Sequence, residues 1–230
     1  MTRRLARDME SGGHVARVLD NAAPEPYERD DPAFWMRLPE NRFWAGAFAF
    51  ALERAREAGA RYLWFCNNDI RFVSEPPFAA RVAARLKKMT VRLGREPGVY
   101  APAVHRNPYH PQMIRRDGVA WSRVALVDGI APIVNLDCVQ TVGGLDERDN
   151  MRGYGVDVWL SLRAHRAGWP VVVDHEVVLR HDYHTTAKAV PGFMDAAALA
   201  ENAYLSARIG PDWREHLMML QRERHDEAVL

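Results

Sequence analysis

The chain is constrained most by the stretch Tyr62-Leu63-Trp64-Phe65-Cys66-Asn67-Asn68-Asp69-Ile70. Five apolar residues run straight into two amides and a carboxylate. A run that short and that apolar reads as a strand buried on both faces. Buried strands end where the chain meets water, so the polar triplet marks the carboxyl end. In open α/β sheets that end is where ligands bind. A carboxylate there is placed to hold a divalent cation against a phosphate. An Asn/Asp turn closing the strand explains the same residues more simply.

At 230 residues the chain is long enough for one sizeable α/β domain and a small appendage. Its 31 basic and 30 acidic side chains nearly cancel, which removes the electrostatic case for nucleic acid as a partner. Cys66 and Cys138 have no metal-ligand spacing, and Cys66 reads as a small core residue of the strand. The longest apolar run, Phe43 to Leu52, is too short to span a bilayer and contains Gly46. Arg3, Arg4 and Arg7 are followed by no apolar stretch, unlike a signal peptide. The expectation is a soluble cytoplasmic protein with no transmembrane segment.

Strand and helix signals alternate through the first hundred residues. Residues 2 to 11 read as a helix tail stopped by Gly12-Gly13, and His14 to Leu19 as a strand ending at Asp20-Asn21. Phe34 to Leu38 is a second short strand, and Trp44 to Ala58 an Ala-rich helix stopped at Gly59. Pro76-Pro77 open a helix to about Leu93, and Val99-Tyr100-Ala101 is a strand. This alternation predicts a mostly parallel sheet with helical cover. Val119 to Val127 reads as an antiparallel strand pair. A helix from Gly155 to Ala167 precedes strands at Val171–Val173 and Val177–Leu179, and residues 195 to 226 read as two helices broken at Gly210-Pro211. The basic stretch Arg85, Lys87, Lys88, Arg92 and Arg95 reads as the solvated face of a helix.

Six segments taken in order resemble the family 2-like glycosyltransferases of GT-A fold, in their rhamnosyltransferase-like branch. Val18-Leu19-Asp20-Asn21-Ala22 resembles their second-strand signature. Leu38-Pro39-Glu40-Asn41-Arg42 with Ala45-Gly46 resembles the segment before their next helix. Asn67-Asn68-Asp69 resembles their metal-binding motif in its Asn-Asn-Asp form. Val142-Gly143-Gly144-Leu145-Asp146-Glu147 resembles their Gly-Gly-Phe-Asp-Glu loop, and Gly155-Val156-Asp157 through Arg163 their Glu-Asp helix start. Ala167-Gly168-Trp169 and the strand end at His181 complete the series, which covers roughly residues 14 to 185.

The resemblance implies an α/β, GT-A-like domain over residues 1–190 and a C-terminal helical extension over 191–230. It implies an inverting glycosyltransferase that moves a sugar from a nucleotide-diphosphate sugar to a hydroxyl of a saccharide or lipid-linked acceptor. Mn²⁺ or Mg²⁺ neutralises the diphosphate leaving group in such enzymes. On this reading Asp69 and His181 hold the metal, with His184 as an alternative to His181. Asp20, Asn41, Asn67 and Asn68 contact the nucleotide sugar, and Gly143, Gly144 and Asp146 the acceptor. Asp157 is the base that takes the acceptor proton, in a first helical turn whose dipole favours its ionised form. Plainer readings stand beside these: an Asx turn for Asp20, a helix C-cap for Gly143-Gly144 and a helix-start carboxylate for Asp157. Trp121, Trp159 and Trp169 read as sugar-stacking or core residues.

Three departures from the pattern stand out. Val156 occupies a position where the family often has Glu, and Phe43 one where it usually has Gly. The strand and helix that normally precede Val18–Asp20 find no counterpart here: either the start of the gene was placed too late, or the chain is a natural short form whose uncovered sheet edge invites dimerisation. Two other readings compete: a non-catalytic GT-A-like scaffold binding a sugar, nucleotide or partner protein, and a metal-dependent hydrolase built from His105, His110, His175, His181 and His184. The C-terminal helices would serve equally for core packing, a dimer contact or peripheral attachment at the inner membrane surface.

Overall fold

The computed structural model describes residues 1–10, 14–150, 152–182 and 190–228. In chain order the elements are α1 (Thr2–Glu10), β1 (Val18–Asp20), β2 (Phe34–Arg37), α2 (Phe43–Glu57), β3 (Tyr62–Trp64), β4 (Ile70–Phe72), α3 (Phe78–Leu93) and β5 (Val99–Val104). They continue with β6 (Val119–Val124), β7 (Ile133–Asn135), α4 (Leu136–Thr141), α5 (Val156–Arg166), β8 (Val171–His181), α6 (Phe193–Ile209), α7 (Trp213–Leu220) and β9 (Arg224–Ala228). None of the described helices is long and apolar enough to cross a membrane.

The fold is mixed α/β, built on a seven-stranded sheet in the order β3-β7-β5-β8-β6-β9, with β4 also paired to β8. Only β5 and β8 pair in parallel; every other pairing in this sheet is antiparallel. The expectation of a mostly parallel sheet is therefore corrected, and β7 is the reason. The strand–helix alternation does make β3, β5 and β8 run the same way. The short strand β7, which its sequence did not announce, inserts antiparallel between β3 and β5.

Four smaller expectations change with it. Within Val119–Val127 there is one strand, Val119–Val124, rather than a pair, and Val171 to His181 forms one continuous strand rather than two. The register of β5 against β8 shifts between Pro102 and Ala103, which absorbs the polar break at Asp174–Glu176. The last segment ends in strand β9 against β6, where a helix was expected. Strand β3 is only half-buried, whereas a strand buried on both faces was expected.

β1 and β2 form a separate two-stranded parallel sheet, so Asp20 does not end a strand of the sheet that carries Asp69. Arg37 of β2 turns back onto Asp20 at 2.5 Å and closes this pair on itself.

Alternating residues of β5 and β8 bury opposite faces, as strand geometry requires. Val99, Ala101, Val171 and Val173 pack with Phe48 of α2 and Leu160 of α5. Tyr100 and Val172 face Val82 and Met89 of α3. Tyr204, Leu205, Trp213 and Leu217 then cover the outer side of α5 at Val156, Val158 and Leu162. Within the basic stretch, Arg85 departs from the solvated face: it turns inward to pair with Asp174 and Glu176.

Candidate functional site

The strand directions bring four loops to one edge of the sheet. β3 and β8 end there, at Asn67–Asp69 and His181. β5 ends there too, at Val104, before the segment His105–His110. β7, running the other way, starts there after Asp128-Gly129. The backbone ties these loops together: Asn67 N donates to Ile130 O at 3.0 Å, and His105 N to Leu179 O at 2.8 Å. Ligands in α/β sheets bind at such an edge.

Asp69 precedes β4 and His181 ends β8, and the pairing of Ile70 with His181 sets them side by side. His181 Nε2 lies 3.1 Å from Asp69 Oδ1, and both side chains are largely buried. One carboxylate and one imidazole in contact have the donor chemistry to hold Mn²⁺ or Mg²⁺, which bind few protein ligands when substrate phosphates supply the rest. Among the described residues no group of three or more His, Cys, Asp or Glu side chains is arranged to hold a metal. That arrangement gives the scattered-histidine hydrolase no metal centre among the described residues. His184 lies outside them.

Asp157 sits in the first turn of α5 and is joined to the Asn67 loop by a short relay. The Gly129 N–H donates to Asp157 Oδ2. Trp44 Nε1 donates to Gly129 O and to Asn67 Oδ1, each at 3.1 Å. A Cβ at Gly129 would meet Trp44 Cζ2 at 2.4 Å and Asp157 Oδ2 at 2.9 Å, so only glycine fits between them. Burial raises the Tyr154 pKa, and the fields of Tyr109, Glu201, Asp157 and Asp69 add smaller amounts. Asp157 is thus tied, through Gly129 and Trp44, to the Asn67 loop that leads into Asp69.

Burial pushes the Asp157 carboxyl up to about 6, and the neighbouring Asp128 carboxylate adds to the rise. His110 and the N–H groups of Val158 and Gly129 oppose it. The helix dipole was expected to favour the ionised form, but desolvation wins at this position. Burial likewise raises Asp128 to about 6, against its hydrogen bond from Asn107 Nδ2 at 2.6 Å. Asn107 Oδ1 accepts from Tyr109 N and His110 N, which folds the 107–110 turn over Asp128. Gln221 Nε2 lies 3.2 Å from His110 Nδ1. Burial lowers the His110 pKa, with Asp157 pulling the other way.

The remaining candidate residues divide. Asn67 belongs to the relay. Asn68 Nδ2 donates to Thr2 Oγ1 at 3.2 Å, toward α1. Asn41 Oδ1 accepts from Asn21 Nδ2 at 3.0 Å and from Phe43 N at 2.8 Å. This bracket holds Phe43 at φ 52°, in the left-handed region. The position where the family has Gly thus keeps a Gly-like backbone. Asp20 accepts from Ala23 N at 2.9 Å, Tyr27 N at 3.0 Å and Arg37, an arrangement that closes a loop. Burial raises its pKa, but those donors outweigh it and the net shift is downward.

Gly143 and Gly144 form the turn after α4 with φ of 84° and 85°, and Arg163 grips the carbonyls of Val142 and Gly144 at 2.6 and 2.7 Å. Asp146 is held by Arg208 of α6 through Nε at 2.8 Å and Nη2 at 3.0 Å, and this pairing lowers its pKa. The three tryptophans read as stacking candidates lie under arginines: Arg95 is 3.7 Å from the Trp169 centroid, Arg85 5.9 Å from Trp121 and Arg163 5.7 Å from Trp159.

Sequence reasoning missed Trp44, Asp128, Tyr154 and Glu201, and placed His110 only in the hydrolase reading. A signal existed for two of them. Asp128-Gly129 is the one polar break in the apolar stretch Val124 to Val134. Glu201 falls four residues from both Ala197 and Leu205, the helical spacing of one buried face.

No protein-family model matches the chain. It is 28% identical over 189 residues to Uncharacterized protein Rv1525 of Mycobacterium tuberculosis strain H37Rv, covering 81% of this chain and 70% of that protein. Uncharacterized protein Mb1552 of Mycobacterium bovis matches at the same identity and coverage. Among solved structures, "Crystal structure of GalNAc-T7 with UDP, GalNAc and Mn2+" is similar over 64% of this chain and 32% of that one, at 10% identity and TM-score 0.47. "Crystal Structure of A197 from STIV" is similar over 64% of this chain and 71% of that one, at 12% identity and TM-score 0.41.

Proposed function

We propose that the chain is an inverting glycosyltransferase of GT-A type that transfers a sugar from a nucleotide-diphosphate donor to an acceptor hydroxyl with a divalent metal. The observation that supports this reading is the relay from Asp157 through Gly129 and Trp44 to Asn67, two residues from the Asp69 that contacts His181. The ordered sequence motifs support it independently.

Asp69 and His181 would hold Mn²⁺ or Mg²⁺, and the bound ion would offset the charge that develops on the diphosphate leaving group. Asp157 accepts the proton of the attacking hydroxyl, its carboxylate held in place by the N–H groups of Gly129 and Val158. A carboxyl pushed up to about 6 is ionised at neutral pH and still basic enough to take a proton, which suits a general base. Trp44 fixes the metal-side loop relative to the base through one indole N–H shared between Asn67 and Gly129. The packing of α6 and α7 over α5 covers the base from its outer side.

A thermal-shift panel of nucleoside diphosphates with and without MnCl₂ tests the reading. Saturation at about a hundred times Kd adds about 2.7 kcal/mol and raises Tm by roughly 5 °C or more, only with metal present. No shift with any nucleotide contradicts the transferase reading and favours the scaffold.

A further inference from the structure

Strand β8 is interrupted on both of its edges at one place. On the β5 side, Pro102 pairs with Asp174 and the next residue, Ala103, with Val178, so residues 175–177 bulge out of the ladder. On the other side β6 pairs with β8 only as far as Trp121 against Asp174, and β4 takes over only at Leu179, with one further bond from Val73 N to Val178 O at 2.8 Å. Bulges of this kind re-aim side chains. A cavity of about 370 Å³ opens at the gap, and Ser74, Arg115, Arg116, His175 and Glu176 lie in its wall. That volume suits a small-molecule ligand. None of the wall residues belongs to the site proposed above.

His175 is 3% exposed, and its contacts fix its tautomer. Ser122, fully buried, donates its one hydroxyl hydrogen to Asp226 Oδ1 at 2.7 Å, so its oxygen accepts from His175 Nε2–H at 2.8 Å. Burial, helped by the Arg116 charge, pushes the His175 pKa down to about 4, so the ring is neutral. Nδ1 is therefore a bare acceptor, with no hydrogen-bond partner among the described residues. A buried acceptor without a donor is costly. The acids around it are engaged: Arg85 holds Glu176, and Arg116 holds Asp226. Arg115 pairs with Asp117, whose side chain is 93% exposed, and a pair so open to water is worth little.

We infer that this gap in the sheet is a second binding site, for a small hydroxylated anion, a sugar phosphate or a sugar acid, whose hydroxyl donates to His175 Nδ1 while its oxyanion pairs with Arg115. Nδ1 can accept and not donate, so it selects a hydroxyl. A guanidinium only donates and is always charged, so it selects a phosphate or carboxylate, which displaces the weakly held Asp117. A side-chain shift of the kind common on binding brings the nearly covered ring edge to the ligand. The inference does not depend on the transferase reading, since the cavity shares no residue with that site.

The test titrates the full chain, carrying ¹⁵N-labelled histidine and without metal, with glucose 6-phosphate, glucuronate, glucose and inorganic phosphate. Long-range proton–nitrogen NMR spectra read the His175 ring directly. At least one of the two sugar anions shifts the Nδ1 signal and binds at least about tenfold more tightly than glucose or inorganic phosphate, the worth of one charge-assisted hydrogen bond. Binding of glucose 6-phosphate alone assigns a phosphorylated ligand, and of glucuronate alone a carboxylate. Arg115→Gln, at a half-exposed side chain, removes the advantage over glucose. His175→Gln keeps a donor for Ser122, loses the Nδ1 acceptor and weakens the sugar anion about tenfold. Should that buried variant misfold, the Arg115 variant and the wild-type ring signal still decide. Equal affinity for glucose and both sugar anions, binding unchanged in Arg115→Gln, an Nδ1 signal that no bound probe moves, or no probe bound overturns the inference.

Discussion

Gly129 stands between Trp44 and Asp157, giving its N–H to the carboxylate and its carbonyl to the indole. With Cζ2 of Trp44 only 2.4 Å from where a Cβ would lie, no larger residue enters without moving one of them. Gly129→Ala is expected to cost about 2 kcal/mol of stability, the usual penalty for overpacking. It is also expected to lose transfer activity well beyond what that destabilisation explains. Urea unfolding beside a turnover assay checks both, and wild-type turnover in a folded variant contradicts the relay.

Asp157→Asn keeps the shape and removes the base. Transfer falls by about a hundredfold to ten-thousandfold, the usual worth of a general base, while nucleotide binding is retained. Turnover by the wild type rises as pH climbs through about 6, because the base must be ionised. The stability sign is opposite. The folded pKa lies above the free value of 3.8, so the folded state holds the proton more tightly and stability falls as pH rises from about 4 to about 6. Asp157→Asn should therefore stabilise the fold by about 3 kcal/mol at pH 8 and by nearly nothing at pH 4. Melting curves at the two pH values decide this.

Arg208→Ala breaks the two-pronged hold on Asp146 and loosens α6 from the loop after α4. A loss of about 2 kcal/mol at neutral pH is expected for a charge-assisted pair of this geometry. The Asp146 pKa is lowered in the fold, so this stability is present above the ordinary aspartate pKa and disappears as pH falls below it. Denaturation of wild type and variant at neutral and strongly acid pH should show the two converging.

Asn41→Ala removes the acceptor that holds Phe43 N at 2.8 Å, and Phe43 sits at φ 52°. Phe43→Gly, by contrast, relieves a left-handed residue and should stabilise the start of α2 by about 1 kcal/mol. Opposite shifts in Tm are expected from these two substitutions. The same sign for both would contradict the strain account.

Much of this was legible in the chain. The apolar run into Asn67-Asn68-Asp69 marked the sheet edge, and a hydrogen-bond relay ties Asp157 to the Asn67 loop there. The antiparallel β7 was hidden because three residues inside a longer apolar stretch carry no period. The order of the loops around the site could not be read without it. Asp20 and Asp146 show the limit from the other side: their positions match the motifs, but Arg37 and Arg208 engage them from segments no local pattern connects. Trp44 was read as an ordinary helix start because its hydrogen-bond partners lie 23 and 85 residues away.

On the proposed function, Asp69 and Asp157 flank one cation-binding crevice. Paramagnetic broadening by Mn²⁺ in the presence of a nucleoside diphosphate tests it most directly. The account predicts selective loss of the Trp44 indole N–H and Gly129 amide signals, with Trp44→Phe confirming the assignment and Asp69→Ala abolishing the effect. Broadening centred elsewhere, or unchanged in Asp69→Ala, would contradict it.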